Sequence, residues 1–155
     1  MHSRIFQISS NRITEDDRIS ESRYEDYFVP SVADYVVASE DEVDDMKWLA
    51  QATKGLKVNP EKRTVQLISK KEYFEDKFNK FQEAVEKLKD TSLDEFITTK
   101  LDFKMYDLKS AYEEKYEFYF DDNYEHLGNV PLDEWVRNTK EGELFFIGST
   151  FDYHF

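Results

Sequence analysis

Apolar residues recur along this chain with two periods, and the clearest stretch is helical. Phe74, Phe78, Phe81, Val85 and Leu88 follow one another at spacings of four, three, four and three. That places all five on one stripe of an α-helix. Ser69 and Glu72 fit a capping box, and Ile68 and Tyr73 stand where a hydrophobic staple would close over it. The spacing therefore predicts a helix over 69–90. The stripe covers only two heptads, short of what a coiled coil needs, so it is expected to cover a sheet.

The rest of the pattern supplies that sheet and several shorter helices. Arg4–Ser9 reads as a strand, with Ile5 and Phe6 adjacent as suits burial on both faces. Asn11–Asp26 is polar and predicts a loop with at most a helical turn. Ser31 is placed to cap a short helix carrying Val32, Tyr35 and Val36. Ser39 and Glu42 form a second capping box, opening a helix that runs to Ala52 and stops at Gly55. Leu56–Val58 and Arg63–Ile68 flank Asn59-Pro60-Glu61-Lys62. Asparagine then proline is type I turn chemistry, so a hairpin is predicted.

Ser92 and Glu95 repeat the capping signature before Phe96 and Ile97. Residues 101–123 satisfy both periods. The helix formers between the aromatics favour a helix from about Phe103 to Phe120, with strand at the Tyr116–Phe120 end as the alternative. Pro131 suits the first turn of a helix bearing Trp135 and Val136. Glu143–Ile147 reads as a strand, and Phe151, Tyr153 and Phe155 alternate with polar residues beyond Gly148, predicting a hairpin that pivots near that glycine. The fold class expected is α+β: a small antiparallel β-sheet packed against the central helix at about 69–90, with additional short helices. Without an internal repeat or linker, residues 1–155 are expected to form a single domain.

Charge changes the picture more than composition does. The net charge is −13, and it is unevenly spread. Residues 10–50 hold twelve acids against four bases, a net of −8, and residues 113–125 hold six acids against Lys115, a net of −5. Between them, residues 53–110 carry 13 bases and 11 acids, a net of +2. Such a surface repels DNA, RNA and anionic lipid and attracts basic partners. The chain has no cysteine, which removes disulfide, thiolate and zinc–thiolate chemistry. No window approaches the ~20 apolar residues of a membrane span, and the first residues lack the apolar core of a signal peptide. A soluble, cytoplasmic protein is the expectation.

The familiar catalytic signatures are missing. Four glycines, at 55, 128, 142 and 148, build neither phosphate-binding loop, and Gly148-Ser149 is not a nucleophile elbow. His2, His126 and His154 lie too far apart in sequence for a helical zinc motif. Asp121-Asp122-Asn123-Tyr124-Glu125 superficially resembles a calcium loop, but Gly128 and Leu132 fall at the wrong positions. His126 beside Glu125 is the best isolated candidate for a general base, and a surface histidine among acids is the plainer account of it. No catalytic residue, metal ligand or cofactor is assigned.

Two readings follow. The first is an acidic, non-enzymatic binding or regulatory protein that docks on a basic protein partner, without direct nucleic-acid or membrane binding. Aromatic residues interleaved with acids are its expected contacts: Tyr24, Glu25, Asp26 and Tyr27 in the segment Tyr24–Phe28, and Tyr119, Asp121, Asp122, Tyr124 and Glu125 within Tyr116–Tyr124 and its flank. A sharper form is an inhibitor presenting carboxylates where its target expects phosphates. In composition, though in no motif, the chain resembles anti-restriction DNA mimics and nuclease-immunity proteins. The alternative is a small enzyme with a carboxylate-based or magnesium-dependent site. The oligomeric state is left open.

Overall fold

The structure, a computed structural model, describes residues 1–113, 117–125 and 128–155. In chain order its elements are β1 (His2–Ser9), two short 3-10 turns (Glu15–Asp17 and Glu21–Tyr24), β2 (Tyr35–Ala38), α1 (Glu42–Ala52), β3 (Leu56–Asn59), β4 (Thr64–Leu67), α2 (Lys70–Lys89), α3 (Leu93–Ile97), α4 (Lys100–Tyr112), β5 (Tyr119–Asp121), β6 (Asn129–Pro131), α5 (Leu132–Asn138) and β7 (Leu144–His154). The class is α+β. No helix among the described residues is long and apolar enough to cross a membrane.

The chain divides into two compact units, residues 1–70 with 115–155, and residues 71–114. The first holds the whole sheet, in the order β3-β4-β7-β1-β5-β6, with β2 also on β7. The eleven-residue β7 organises it. β4 pairs with its first half and β2 with its second half, while β1 runs antiparallel along its other edge. The pair β1–β5 is parallel, with Ile5 opposite Tyr119, so the seven-stranded sheet is mixed where an antiparallel one was expected.

Side-chain alternation gives the sheet two different faces. One carries Phe6, Phe120, Val65 and Phe145 and is covered by α1 and α5. Trp135 of α5 meets Phe120 and Phe145 edge-on, at ring separations of 4.8 and 5.3 Å. Met46 and Leu49 of α1 are fully buried. The opposite face carries Ile5, Tyr119, Phe151 and Tyr153, onto which residues 19–33 fold with Tyr24, Phe28 and Ala33.

Four sequence expectations are corrected. Residues 32–36 were expected to be helical, but Tyr35–Ala38 is strand β2. Val36-Val37 is β-branched, and pairing with Tyr153 and Asp152 of β7 satisfies its backbone. The α1 cap is Asp41, which accepts the Asp44 N–H at 3.0 Å. Ser39 instead bonds the Asp45 carboxylate, and Glu42 is freed to bind Arg18 and Arg63. The helix from Phe103 towards Phe120 ends at Tyr112, and the strand alternative holds at Tyr119–Asp121. Finally, Gly148 is no hairpin pivot: β7 runs straight through it, with one register irregularity against β1 between Phe6 and Ile8.

The hairpin β3–β4 forms as predicted, with Asn59 Oδ1 accepting the Lys62 N–H at 2.9 Å and Arg63 left-handed at φ 51°. The second unit contains α2 from Lys71 on, α3 and α4. Its α3 carries the predicted capping box between Ser92 and Glu95. Within this unit Phe81 and Tyr112 lie 6.4 Å apart, and Lys104 pairs with Glu95 at 3.1 Å. On the α2 stripe Phe78 stays 58% exposed, and Ala84 is the buried residue of the helix.

Candidate functional site

The two acid-and-tyrosine segments meet. Residues 20–33 are shaped by backbone carbonyls that each take several N–H groups: Tyr24 O accepts from Phe28 and Val29, and Phe28 O accepts from Ser31, Val32 and Ala33. This tight winding points Tyr24 and Phe28 at the sheet. Phe28 meets Tyr119 and Tyr153 edge-on at 4.8 and 5.1 Å, and Tyr24 meets Phe151 at 5.1 Å. Such T-shaped pairs are the favoured aromatic geometry and fix the segment's position.

Seating Tyr24 brings Arg23 beside Asp121, which is fully buried at the end of β5. Arg23 grips it with two groups, Nε to Oδ2 at 2.7 Å and Nη2 to Oδ1 at 3.2 Å. Tyr24 Oη donates to Oδ2 at 3.2 Å, and the Asn123 N–H donates to Oδ1 at 2.8 Å. Four donors therefore converge on one carboxylate, an arrangement that makes a buried charge tolerable. Burial, and then the Asp121 charge, hold the Tyr24 phenol well above its ordinary titration range, so it remains a proton donor. The Arg23 guanidinium also lies 4.6 Å from the ring centre of Tyr124, a cation–π contact.

The loop after β5 is built to present Tyr124. Asn123 and Tyr124 both adopt left-handed backbone, at φ 52° and 66°, a conformation that a bulky residue takes only when held there. Asp122 holds it: its carboxylate accepts the Gly128 N–H at 2.6 Å, and its own N–H donates to Gly128 O. Glycine is required at 128, because φ is 75° and a Cβ would come within 3.0 Å of the Tyr124 ring. Glu125 ties the loop to the end of β1, accepting from Ser9 Oγ at 2.7 Å and from Ser10 Oγ at 3.1 Å.

The outcome is a cleft of about 340 Å³ with Tyr24, Phe28 and Tyr119 inside it and Tyr27 and Tyr124 also on its lining. Those last two are 76% and 72% exposed. Of the nine residues singled out from sequence, Tyr24, Tyr27, Tyr119, Asp121 and Tyr124 line the cleft. Asp122 and Glu125 brace its loop. Glu25 and Asp26 are exposed, between Tyr24 and Tyr27 in sequence but not on the lining. Phe28, which closes the segment Tyr24–Phe28 singled out from sequence, lines the cleft too, whereas sequence reasoning missed Arg23 and Asn129, whose side-chain oxygen is buried without a hydrogen bond among the described residues. Arg23 carries a signal in retrospect: it is the base nearest the acid-and-tyrosine run, and a buried acid needs such a partner. His126 and Tyr116 lie outside the described residues.

The interior of the cleft is locked by its own hydrogen bonds. Each oxygen of Asp121 already accepts two hydrogen bonds, which occupies the carboxylate and leaves it poorly placed to take a proton from a substrate. Among the described residues no cluster of three or more histidines and acids stands ready to hold a metal ion. The Ser9 and Ser10 donors lower the Glu125 carboxyl pKa from its ordinary 4.5. A carboxylate lowered in the folded state stabilises fully above its unfolded pKa, and that contribution is lost as pH falls through the folded value. The Ser10 amide resonance is therefore expected to titrate with a midpoint below 4.5. A midpoint at or above that value would show that the clamp is not made in solution. No family model matches this chain, and neither the curated proteins nor the solved structures searched contain a match.

Proposed function

We propose that this protein is a non-enzymatic docking protein that binds a basic protein partner through the tyrosine cleft around Arg23 and Asp121. One observation carries this reading: segments almost a hundred residues apart in sequence converge on one cleft that leaves Tyr27 and Tyr124 exposed. Large aromatic rings held by a rigid frame are the residues that dominate binding energy at interfaces. Glu25 and Asp26, exposed beside them, supply the charge that draws in a basic partner and sets its approach. Tyr124 already carries one cation on its ring, that of Arg23, so a lysine or arginine of the partner finds the same chemistry at Tyr27. The interior ion pair supports a binding role over catalysis, since its acid is saturated with hydrogen bonds.

The test is binding of fluorescent lysine- and arginine-rich peptides, followed by polarisation at low and high salt. Binding is expected to weaken steeply as ionic strength rises and the Debye length shrinks to about 8 Å near physiological salt. Tyr27→Ala with Tyr124→Ala is expected to weaken it about tenfold or more, a loss of at least about 1.4 kcal/mol shared between the two rings. Glu25→Lys with Asp26→Lys is expected to remove the salt dependence. Peptide binding that ignores both pairs of substitutions would refute the cleft as the docking surface.

A further inference from the structure

A second cavity, of about 860 Å³, lies on the same face of the sheet as the cleft, at its other end. The shared face follows from register: Ile5 and Ser9 are four apart on β1, and Ser9 stands opposite Phe146 as Ile5 stands opposite Phe151. Two cross-strand rows form part of its lining, Lys57–Gln66–Leu144 and Asn59–Thr64–Phe146. Residues 12–18, the β3–β4 turn, and Ile147 and Gly148 of β7 contribute the rest.

The lining is cationic in a chain of net charge −13. Arg12, Arg18, Lys57, Lys62 and Arg63 face only Glu15 and Glu61, a net of +3, or +2 when the adjacent Glu42 is included. Arg18 and Arg63 are fixed in place. Both pair with Glu42, at 2.5 and 3.0 Å, and both donate to the carbonyl of Gly148. Arg12, Lys57 and Lys62 are different, because none has an ion pair among the described residues. Unpaired like charges held around one concavity repel each other, and a bound anion relieves that repulsion. Leu144 and Phe146 add an apolar patch to the same lining.

We propose that this cavity binds a small phosphorylated ligand of nucleotide size, with its phosphates among Arg12, Lys57 and Lys62 and its ring against Phe146 and Leu144. Size argues for more than a lone phosphate, since the volume lies within the ~300–1,000 Å³ typical of organic-ligand sites. Charge argues against a long nucleic acid. The residues outside this lining carry a net charge of −16, which disfavours a polyanion longer than the cavity. Arg18 and Arg63, held by Glu42, offer preset positions that reduce the ordering cost of binding. The site is independent of the tyrosine cleft.

Calorimetric titration of the full chain with the four common nucleoside diphosphates, the uncharged nucleosides, inorganic phosphate and a single-stranded oligonucleotide tests this. At least one diphosphate is expected to bind saturably and at least about tenfold more tightly than inorganic phosphate, with its nucleoside undetected over the same range. Lys57→Glu with Lys62→Glu is expected to weaken that binding about tenfold or more, the scale of losing charged hydrogen bonds. Both lysines are exposed, so the thermal midpoint without ligand should stay unchanged and distinguish lost binding from lost folding. The Tyr27→Ala, Tyr124→Ala protein should bind the diphosphate like wild type, which separates this site from the docking cleft. The proposal is overturned if no diphosphate binds, if charge reversal leaves binding unchanged, if phosphate binds as tightly, or if the oligonucleotide binds more tightly than any diphosphate.

Discussion

Replacing Asp121 with alanine is expected to lower the free energy of unfolding by about 3–5 kcal/mol, the usual consequence of removing one partner from a buried ion pair. The magnitude follows from what is left behind. The Arg23 side chain, only 23% exposed, loses both of its bonds to the carboxylate. The Tyr24 hydroxyl and the Asn123 N–H lose their acceptor as well. A protein of this size is stable by only about 5–15 kcal/mol, so this one change would consume a large share. Asp121→Asn keeps the shape and one acceptor oxygen and should cost less. In either variant the Tyr24 phenol should still titrate well above its ordinary value, because burial is the first cause of its shift and the Asp121 charge the second. Urea unfolding monitored by tyrosine and tryptophan fluorescence measures the loss, read as a lower midpoint at constant slope. A change of under about 1 kcal/mol for the alanine variant would mean that the pair is solvated or unmade in solution, against the range expected of a buried one.

That the cleft could be found in the sequence at all reflects how locally its ingredients are written. Tyrosines beside acids in 24–27 and 119–125 stand out because each run is contiguous. The ion pair at their junction is not contiguous, so Arg23 reads as one base in a twelve-acid stretch. The cationic cavity is further from view. Its bases come from three short segments, and windowed charge cancels them against neighbouring acids. Only the register of β3, β4 and β7 gathers Lys57 near Arg12.

Secondary structure was legible where one period or one cap dominated, as at Ser92–Glu95, the β3–β4 turn and the α5 start. It failed where two local solutions compete. Ser39 and Asp41 are both good caps, and tertiary demand for Glu42 at Arg18 and Arg63 favours the second. At 32–38 helical spacing coexists with β-branched residues, and the open edge of β7 decides for strand.

Gly148 illustrates the same limit most sharply, and carries the second large effect. A glycine between two apolar runs reads as a turn, yet this one sits inside a strand because of space rather than backbone angle. A Cβ there would fall 2.7 Å from Cδ of Gln7 and 3.0 Å from Cδ1 of Ile13. The Gln7 amide cannot swing away at low cost. It is buried, donates to Asp17 O at 2.7 Å, and accepts the N–H groups of Ile19 and Ser149 at 3.2 and 3.0 Å. Gln7→Leu would fill the volume but orphan one carbonyl and two N–H groups, at about 1–3 kcal/mol for each that stays buried. A loss of about 3–5 kcal/mol is expected, together with faster amide exchange at Ile19 and Ser149. Gly148→Ala is expected to cost about 1–3 kcal/mol through overpacking. The two effects should not add, since they act through one contact. In a Gln7→Ala background the amide is gone, and the alanine at 148 should become nearly neutral. If Gly148→Ala costs as much there as in wild type, the obstruction is not Gln7, and the glycine is kept for a reason other than the room this amide needs.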